Sequence, residues 1–262
     1  MIAKKNFFSL IILVLIVMGC GKSSAEVDVT DENKDPVPII HYNFETPTGI
    51  KVFDATTNQN HGNLVGGQWW IEDNKPTIAF DGNDYIDIPI TSASKFNTLE
   101  HGSISIQFKF RNFNGKIQPI VYFGESSIGA PHQSLIIEVG HSDNLDNRKL
   151  YFTIVNANFC FDSNENLDEN TWYHFVAVVG PGGNTGYLNG IELTHRNYNL
   201  GSNSGYTDFF SSVPTKEIFT LGYGRYGLSD DFYFFDGFIS DFRVYKEALS
   251  REEVQKIYTK LL

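Results

Sequence analysis

The chain has few cysteines, two in 262 residues, and only Cys160 falls in what reads as the folded region. An internal disulfide is therefore excluded there, and stability has to come from packed sheets. Basic side chains are also scarce: 20 Lys and Arg face 31 Asp and Glu, a net charge of −11. That balance argues against nucleic acid as a partner and against docking on an anionic surface by charge; it suits a neutral or cation-bridged ligand. No apolar run is long enough to span a bilayer comfortably, since the stretch from Phe7 to Met18 is broken by Ser9 and holds only twelve residues. The seven histidines stand singly, without H-E-x-x-H or other zinc spacing. No G-x-S-x-G elbow occurs, and no repeat of about 20 to 50 residues is evident.

What is present begins with a targeting segment. Lys4 and Lys5 precede the apolar run, so residues 1–19 read as a signal peptide. Val17-Met18-Gly19-Cys20 resembles a bacterial lipobox, which implies cleavage before Cys20 and acyl chains on its thiol and amine, a stable anchor. Gly21 stands where Asp favours inner-membrane retention in enteric bacteria, and acids soon after the cysteine resemble export signals of surface lipoproteins in the Bacteroidetes. The expectation is a lipid-anchored outer-membrane protein at the cell surface. Residues 20–36 are almost wholly polar and read as a disordered tether from the lipidated Cys20. Within them, Glu26-Val27-Asp28-Val29-Thr30-Asp31-Glu32 mimics the catalytic spacing of family 16 glycoside hydrolases. The match is rejected, because a flexible segment cannot hold two carboxyls about 5 Å apart.

Removing the signal leaves about 240 residues, enough for one large domain, taken as 37–262. Aromatics at 15% with abundant Gly suit many short strands joined by polar turns. Asn189-Gly190, between Tyr187-Leu188 and Ile191-Glu192-Leu193, marks a tight hairpin. Trp172 to Val179 is apolar on both faces, as in a strand central in its sheet. Near the end, Phe238, Phe242 and Val244 alternate with Ile239, Arg243 and Tyr245, predicting a strand with the first set in the core. Ser250 and Glu253 then form a capping box, with Leu249 and Val254 as the staple of a short terminal helix. The architecture required is two antiparallel sheets packed face to face, about a dozen strands in all. Cys160, in Asn158-Phe159-Cys160-Phe161, reads as a small buried apolar residue.

The run Phe235-Asp236-Gly237-Phe238-Ile239-Ser240-Asp241-Phe242-Arg243-Val244-Tyr245, followed by Ala248-Leu249-Ser250, closely resembles the close of laminin-G-like domains of the concanavalin A-like lectin and glucanase group. Tyr42-Asn43-Phe44-Glu45, Asn60-His61-Gly62-Asn63, Ala79-Phe80-Asp81-Gly82-Asn83-Asp84-Tyr85 and Trp172-Tyr173-His174-Phe175 follow the same family pattern in the same order, over about residues 40 to 258. The resemblance implies an all-β jelly-roll sandwich with a short C-terminal helix. It also implies a structural Ca2+ site built from Glu45, the Gly62 carbonyl and Asp241, and it makes Trp172 a core residue rather than a ligand contact. The fold itself hosts lectins, lyases, hydrolases and spacers, so function rests on the site.

Sugar recognition needs flat apolar surface for the pyranose ring and planar polar groups for its hydroxyls. The candidates are Trp69 and Trp70, with the loop cluster Tyr206, Tyr223, Arg225 and Tyr226, the last three displayed between glycines. Adjacent tryptophans on a strand point to opposite faces, so at most one of the pair belongs in the core. These readings make the chain a non-catalytic surface lipoprotein that captures polysaccharide. The alternatives are an adhesion or assembly module with a surface protein partner, and a divergent glycoside hydrolase or polysaccharide lyase.

Overall fold

The computed structural model describes residues 34–126, 133–140, 147–154, 158–193, 203–225 and 232–262, and Asp35–Leu262 forms one compact unit. The lipidation residue Cys20, the signal segment and nearly all of the tether lie outside the described residues. Among those described, eighteen strands build two large antiparallel sheets and a small hairpin, more than the dozen expected, because turns and bulges cut the apolar runs into short pieces.

The first sheet runs Ile191–Glu192, Gly183–Leu188, Tyr173–Gly180, Gly102–Phe110, Asp236–Tyr245, Lys75–Asp81, Gln68–Glu72. Ile40–Tyr42 also pairs with Asp236–Tyr245. The second runs Asn158–Asp162, Leu150–Ile154, Leu135–Val139, Gln118–Gly124, Ile218–Leu221, Tyr85–Asp87, Gly62–Val65, Lys51–Val52. Between them lies a core rich in phenylalanine, in which Phe96, Phe123, Phe210 and Phe219 pack with ring centroids 4.8–6.1 Å apart. Cys160 is buried in this core.

The outer face of the first sheet has its own cover. Helix Arg251–Leu261 lays Val254 and Ile257 on Val176, Val178, Tyr187 and Tyr245, a second apolar cluster. That is why the strand from Tyr173 is apolar on both faces. Ser250 caps the helix: its Oγ accepts from the Glu253 amide at 3.2 Å, and Glu253 Oε2 accepts from the Ser250 amide at 2.8 Å. The Asn189-Gly190 turn, with φ of 50° and 74°, meets the helix as well, where Gln255 Nε2 donates to the Gly190 carbonyl.

Two sequence expectations need correction. In Asp236–Tyr245 it is Ile239, Phe242 and Val244 that enter the core, whereas Phe238 faces outward with Asp241, Arg243 and Tyr245. The cause is a bulge: Ile239 pairs with Phe108 and Asp241 with Gln107, so Ser240 is an extra residue that switches the phase of the strand. Trp172 is likewise not a core residue. Alternation from Phe175 puts Tyr173 inside, and the half-buried Trp172 donates its Nε1–H to Asp73 Oδ2 at 2.9 Å.

Candidate functional site

The hairpin of Gln68–Glu72 and Lys75–Asp81 turns at Asp73 and Asn74, both at positive φ. Trp69 pairs with Ile78 and points inward; it packs edge-on against Phe44 at 6.3 Å, and its Nε1 donates to the Gly49 carbonyl at 2.6 Å. Trp70 pairs with Thr77 and points outward, 53% exposed. Beside it lies a groove of about 280 Å3 lined by Gln68, Glu72, Asp81, Arg111 and Phe238.

Charge fixes the walls of this groove. The hairpin tip bends over the sheet because Lys109 Nζ meets Glu72 Oε1 at 2.5 Å and Asp73 Oδ2 at 2.8 Å. Burial pulls the lysine's pKa down, but the hydrogen bonds and charges of Asp73 and Glu72 more than offset this, so it stays raised and charged. The Arg111 guanidinium sits 5.1 Å from the Phe238 ring centroid and donates from Nε to Asp236 Oδ1 at 2.7 Å. Asp84 accepts from the Asp81 amide at 3.0 Å and packs so closely on Gly66 that a Cβ there would lie 1.9 Å from Asp84 Oδ1. Desolvation raises the Asp84 pKa, and the neighbouring Asp81 adds to the rise. The groove therefore offers an exposed indole, a cation over a phenyl ring, and acceptors whose positions are held by backbone and ion pairs.

The outer face of the second sheet differs. Tyr223–Arg225 pairs with Phe232–Phe234, and Tyr223 packs between Tyr85 at 5.3 Å and Phe234 at 5.1 Å. Gly224 lies flat on Pro119 and Tyr122, with room for nothing larger. Tyr122 donates to the Glu125 carbonyl at 2.9 Å, and burial pushes its hydroxyl up to about 12. Tyr151 stands in register with Glu138 on one side and Asp162 on the other, and both carboxylates are fully buried. Asp162 Oδ1 accepts from the Asn164 amide at 2.7 Å and lies 3.6 Å from Lys149 Nζ. The sequence reading missed this row. Its signal was a single acid in the apolar run Leu135-Ile136-Ile137-Glu138-Val139.

The expected sugar contacts are thus not one cluster. Trp70 faces outward from the first sheet, whereas Tyr223 and Arg225 belong to the hairpin on the second. Trp69 and Tyr206 are half-buried against the core, and the Tyr206 carbonyl accepts from Asn184 Nδ2 at 2.9 Å. Tyr226 lies outside the described residues. Of the expected calcium ligands, Glu45 and Asp241 line one cavity, and Gly62 lies in a strand of the second sheet. The Asp241 carboxylate is already held by His41 Nε2 at 3.0 Å and by Arg243, whose Nε lies 2.8 Å away. Among the described residues, no group of three or more His, Cys, Asp or Glu could hold a metal ion.

With both faces in view, comparison with known proteins is informative about the fold. A model of the concanavalin A-like lectin/glucanases superfamily matches residues 80–255. The chain belongs to that superfamily. No curated protein matches it. Among solved structures, domain 4 of AbnA, a GH43 extracellular arabinanase from Geobacillus stearothermophilus, in complex with arabinotriose, is 18% identical, with 86% of this chain and 100% of that one covered and a TM-score of 0.61. The Trypanosoma rangeli sialidase in complex with sialic acid is 12% identical at a TM-score of 0.61; 85% of this chain is covered but only 32% of the sialidase. The CBM40 of the Ruminococcus gnavus IT-sialidase, bound to α2,3-sialyllactose, is 16% identical, covering 70% of this chain and 96% of that one, with a TM-score of 0.53. At such identities the likeness speaks to architecture.

Proposed function

We propose that this superfamily member is a glycan-binding, non-catalytic domain, held at the outer membrane through Cys20, that captures polysaccharide in the groove beside Trp70. The observation that carries the reading is the exposed indole facing a groove whose lining includes the planar polar side chains of Gln68, Glu72, Asp81 and Arg111. Sugar-bound neighbours of the same architecture support it. Of the groove's carboxyls, Glu72 is paired with Lys109, and Asp84 accepts from the Asp81 amide and lies beside the Asp81 carboxyl. A protein partner is the second reading, favoured by the exposed Ile50, Phe53, Val65 and Ile71.

The test is a glycan array probed with the full chain, with and without calcium, while supernatants are assayed for released sugar ends. Binding without release, reduced at least tenfold in Trp70→Ala, is the expected result. Released ends would make the protein an enzyme, and binding indifferent to Trp70 would move the site elsewhere.

A further inference from the structure

A second depression opens on the same face of the first sheet, and its origin is topological. Ile40–Tyr42 pairs with residues 242–244 of Asp236–Tyr245, and Lys75–Asp81 pairs with residues 236–239 of the same strand, on the same edge. Neither neighbour reaches the bulged Ser240 or Asp241, so the sheet has a gap one or two residues long at that point. The gap is a cavity of about 290 Å3. Its floor is polar, buried and ordered. Ser240 Oγ donates to Gln107 Oε1 at 2.5 Å, Gln107 Nε2 donates to the Leu261 carbonyl at 3.4 Å, and Asp241 is held between His41 and Arg243. Asn43 and Glu45 form one wall, and Pro76 with Leu261 gives an apolar one.

This cavity and the Trp70 groove are neighbours. Phe238, in the groove, and Ser240, in the cavity, are two residues apart in one strand; Gln107 and Lys109 are two apart in the strand beside it. The offset is roughly 7 Å by strand rise. Charge constrains what can lie there. The cavity's Lys75, Arg243 and Lys260 are matched by Asp241 and Glu45 and by Asp35, which pairs with Lys260. The groove adds Glu72, Asp81 and Asp84, with Arg111 as its lining cation and Lys109 beside it already shared between Glu72 and Asp73. An acidic sugar would meet like charge in the groove and find no surplus cation in the cavity.

The geometry points to the cavity at Ser240 as a second subsite for the next units of a neutral, hydroxyl-rich oligosaccharide whose first units stack on Trp70. The inference rests on the groove being a glycan site. Gln107, Asn43 and the oriented Asp241 carboxylate supply hydroxyl partners, and Pro76 with Leu261 supplies an apolar contact.

The test is titration calorimetry on the full chain with neutral oligosaccharides of two to six units from glucan, xylan, mannan and arabinan, and with matched uronate oligosaccharides from alginate and pectin. Wild type is expected to gain at least tenfold in affinity between two and six units of a neutral series. Asn43→Ala and Gln107→Leu should each remove most of that gain and leave disaccharide affinity within about twofold. Asn43 is a wall residue, so its variant keeps the test valid if Gln107→Leu unfolds. Affinity independent of length, or a gain untouched by both variants, overturns the second subsite and leaves the groove standing. Tighter binding of uronates overturns the ligand class, and absence of binding throughout the panel overturns both this inference and the groove reading.

Discussion

Protonating His174 should undo part of the fold. The ring lies on the outer face of the first sheet, beneath the C-terminal helix, with Nε2 2.8 Å from Ser105 Oγ and its plane stacked on Tyr258 at 5.8 Å and 7°. Burial drives its pKa from 6.5 to about 4, partly countered by Asp241 and reinforced by Arg243. The folded state therefore favours the neutral ring. Its contribution is fully present above pH 6.5 and is lost as pH falls from there toward 4, because the unfolded chain takes up the proton first. At about 1.4 kcal/mol per pH unit, the full loss is roughly 3 kcal/mol. Urea unfolding between pH 7 and 4.5, compared with His174→Gln, isolates this contribution. The variant is destabilised at neutral pH, but its stability should fall by about 2–3 kcal/mol less over that range. Slopes from Asp84 and Asp87, raised by burial, and from His61, lowered chiefly by burial, are common to both proteins and cancel in the difference. Parallel stability curves for the two proteins would refute the account of a neutral histidine locked under the helix.

Other perturbations follow from the same structure. Ile257→Ala should cost about 2–4 kcal/mol in urea unfolding, since Ile257 is part of the cluster that seats the helix. Gly237→Ala should cost about 3 kcal/mol or prevent folding, because a Cβ there would sit 2.3 Å from the Lys109 carbonyl oxygen, whereas Gly182→Ala, with open space around it, should change the midpoint little. Lys109→Met removes the cation that gathers Glu72 and Asp73, so cleavage after Glu72 by a glutamate-specific protease should accelerate; an unchanged rate would show that the hairpin tip needs no such clamp.

What the sequence made legible was whatever local chemistry decides. The capping box, the Asn189-Gly190 turn and the opposed directions of Trp69 and Trp70 depend on residues a few positions apart, and the structure has all three. The layered architecture followed from alternating apolar residues and from the family pattern, and it is present too. Site composition was another matter. Tyr223 and Trp70 are both aromatic and both in turn-rich context, yet strand pairing places them on different sheets. Glu138 and Asp162 meet across Tyr151 only through register, which spans 24 residues of chain and leaves no short motif. Glu45 and Asp241 line one cavity and Gly62 lies in the second sheet, an arrangement set by strand order and carried by no short motif.

The bulge at Ser240 shows how much one residue can decide. With regular alternation, Phe238 and Phe242 would share a face, and the face opposite them would carry Ile239 and Asp241. The extra residue instead lets Ile239 and Phe242 enter the core in succession and puts Phe238, Ser240 and Asp241 together on the outside. Phe238 then becomes the groove wall beneath Arg111, and Asp241 becomes the carboxylate between His41 and Arg243. The same residue carries the strand edge past the reach of both neighbouring strands, which opens the cavity. Groove wall, oriented carboxylate and gap thus have one cause. Deleting Ser240 should therefore abolish glycan binding even if the sandwich survives, whereas Ser240→Ala, which keeps the bulge and loses only the hydrogen bond to Gln107, should retain the Trp70-dependent part.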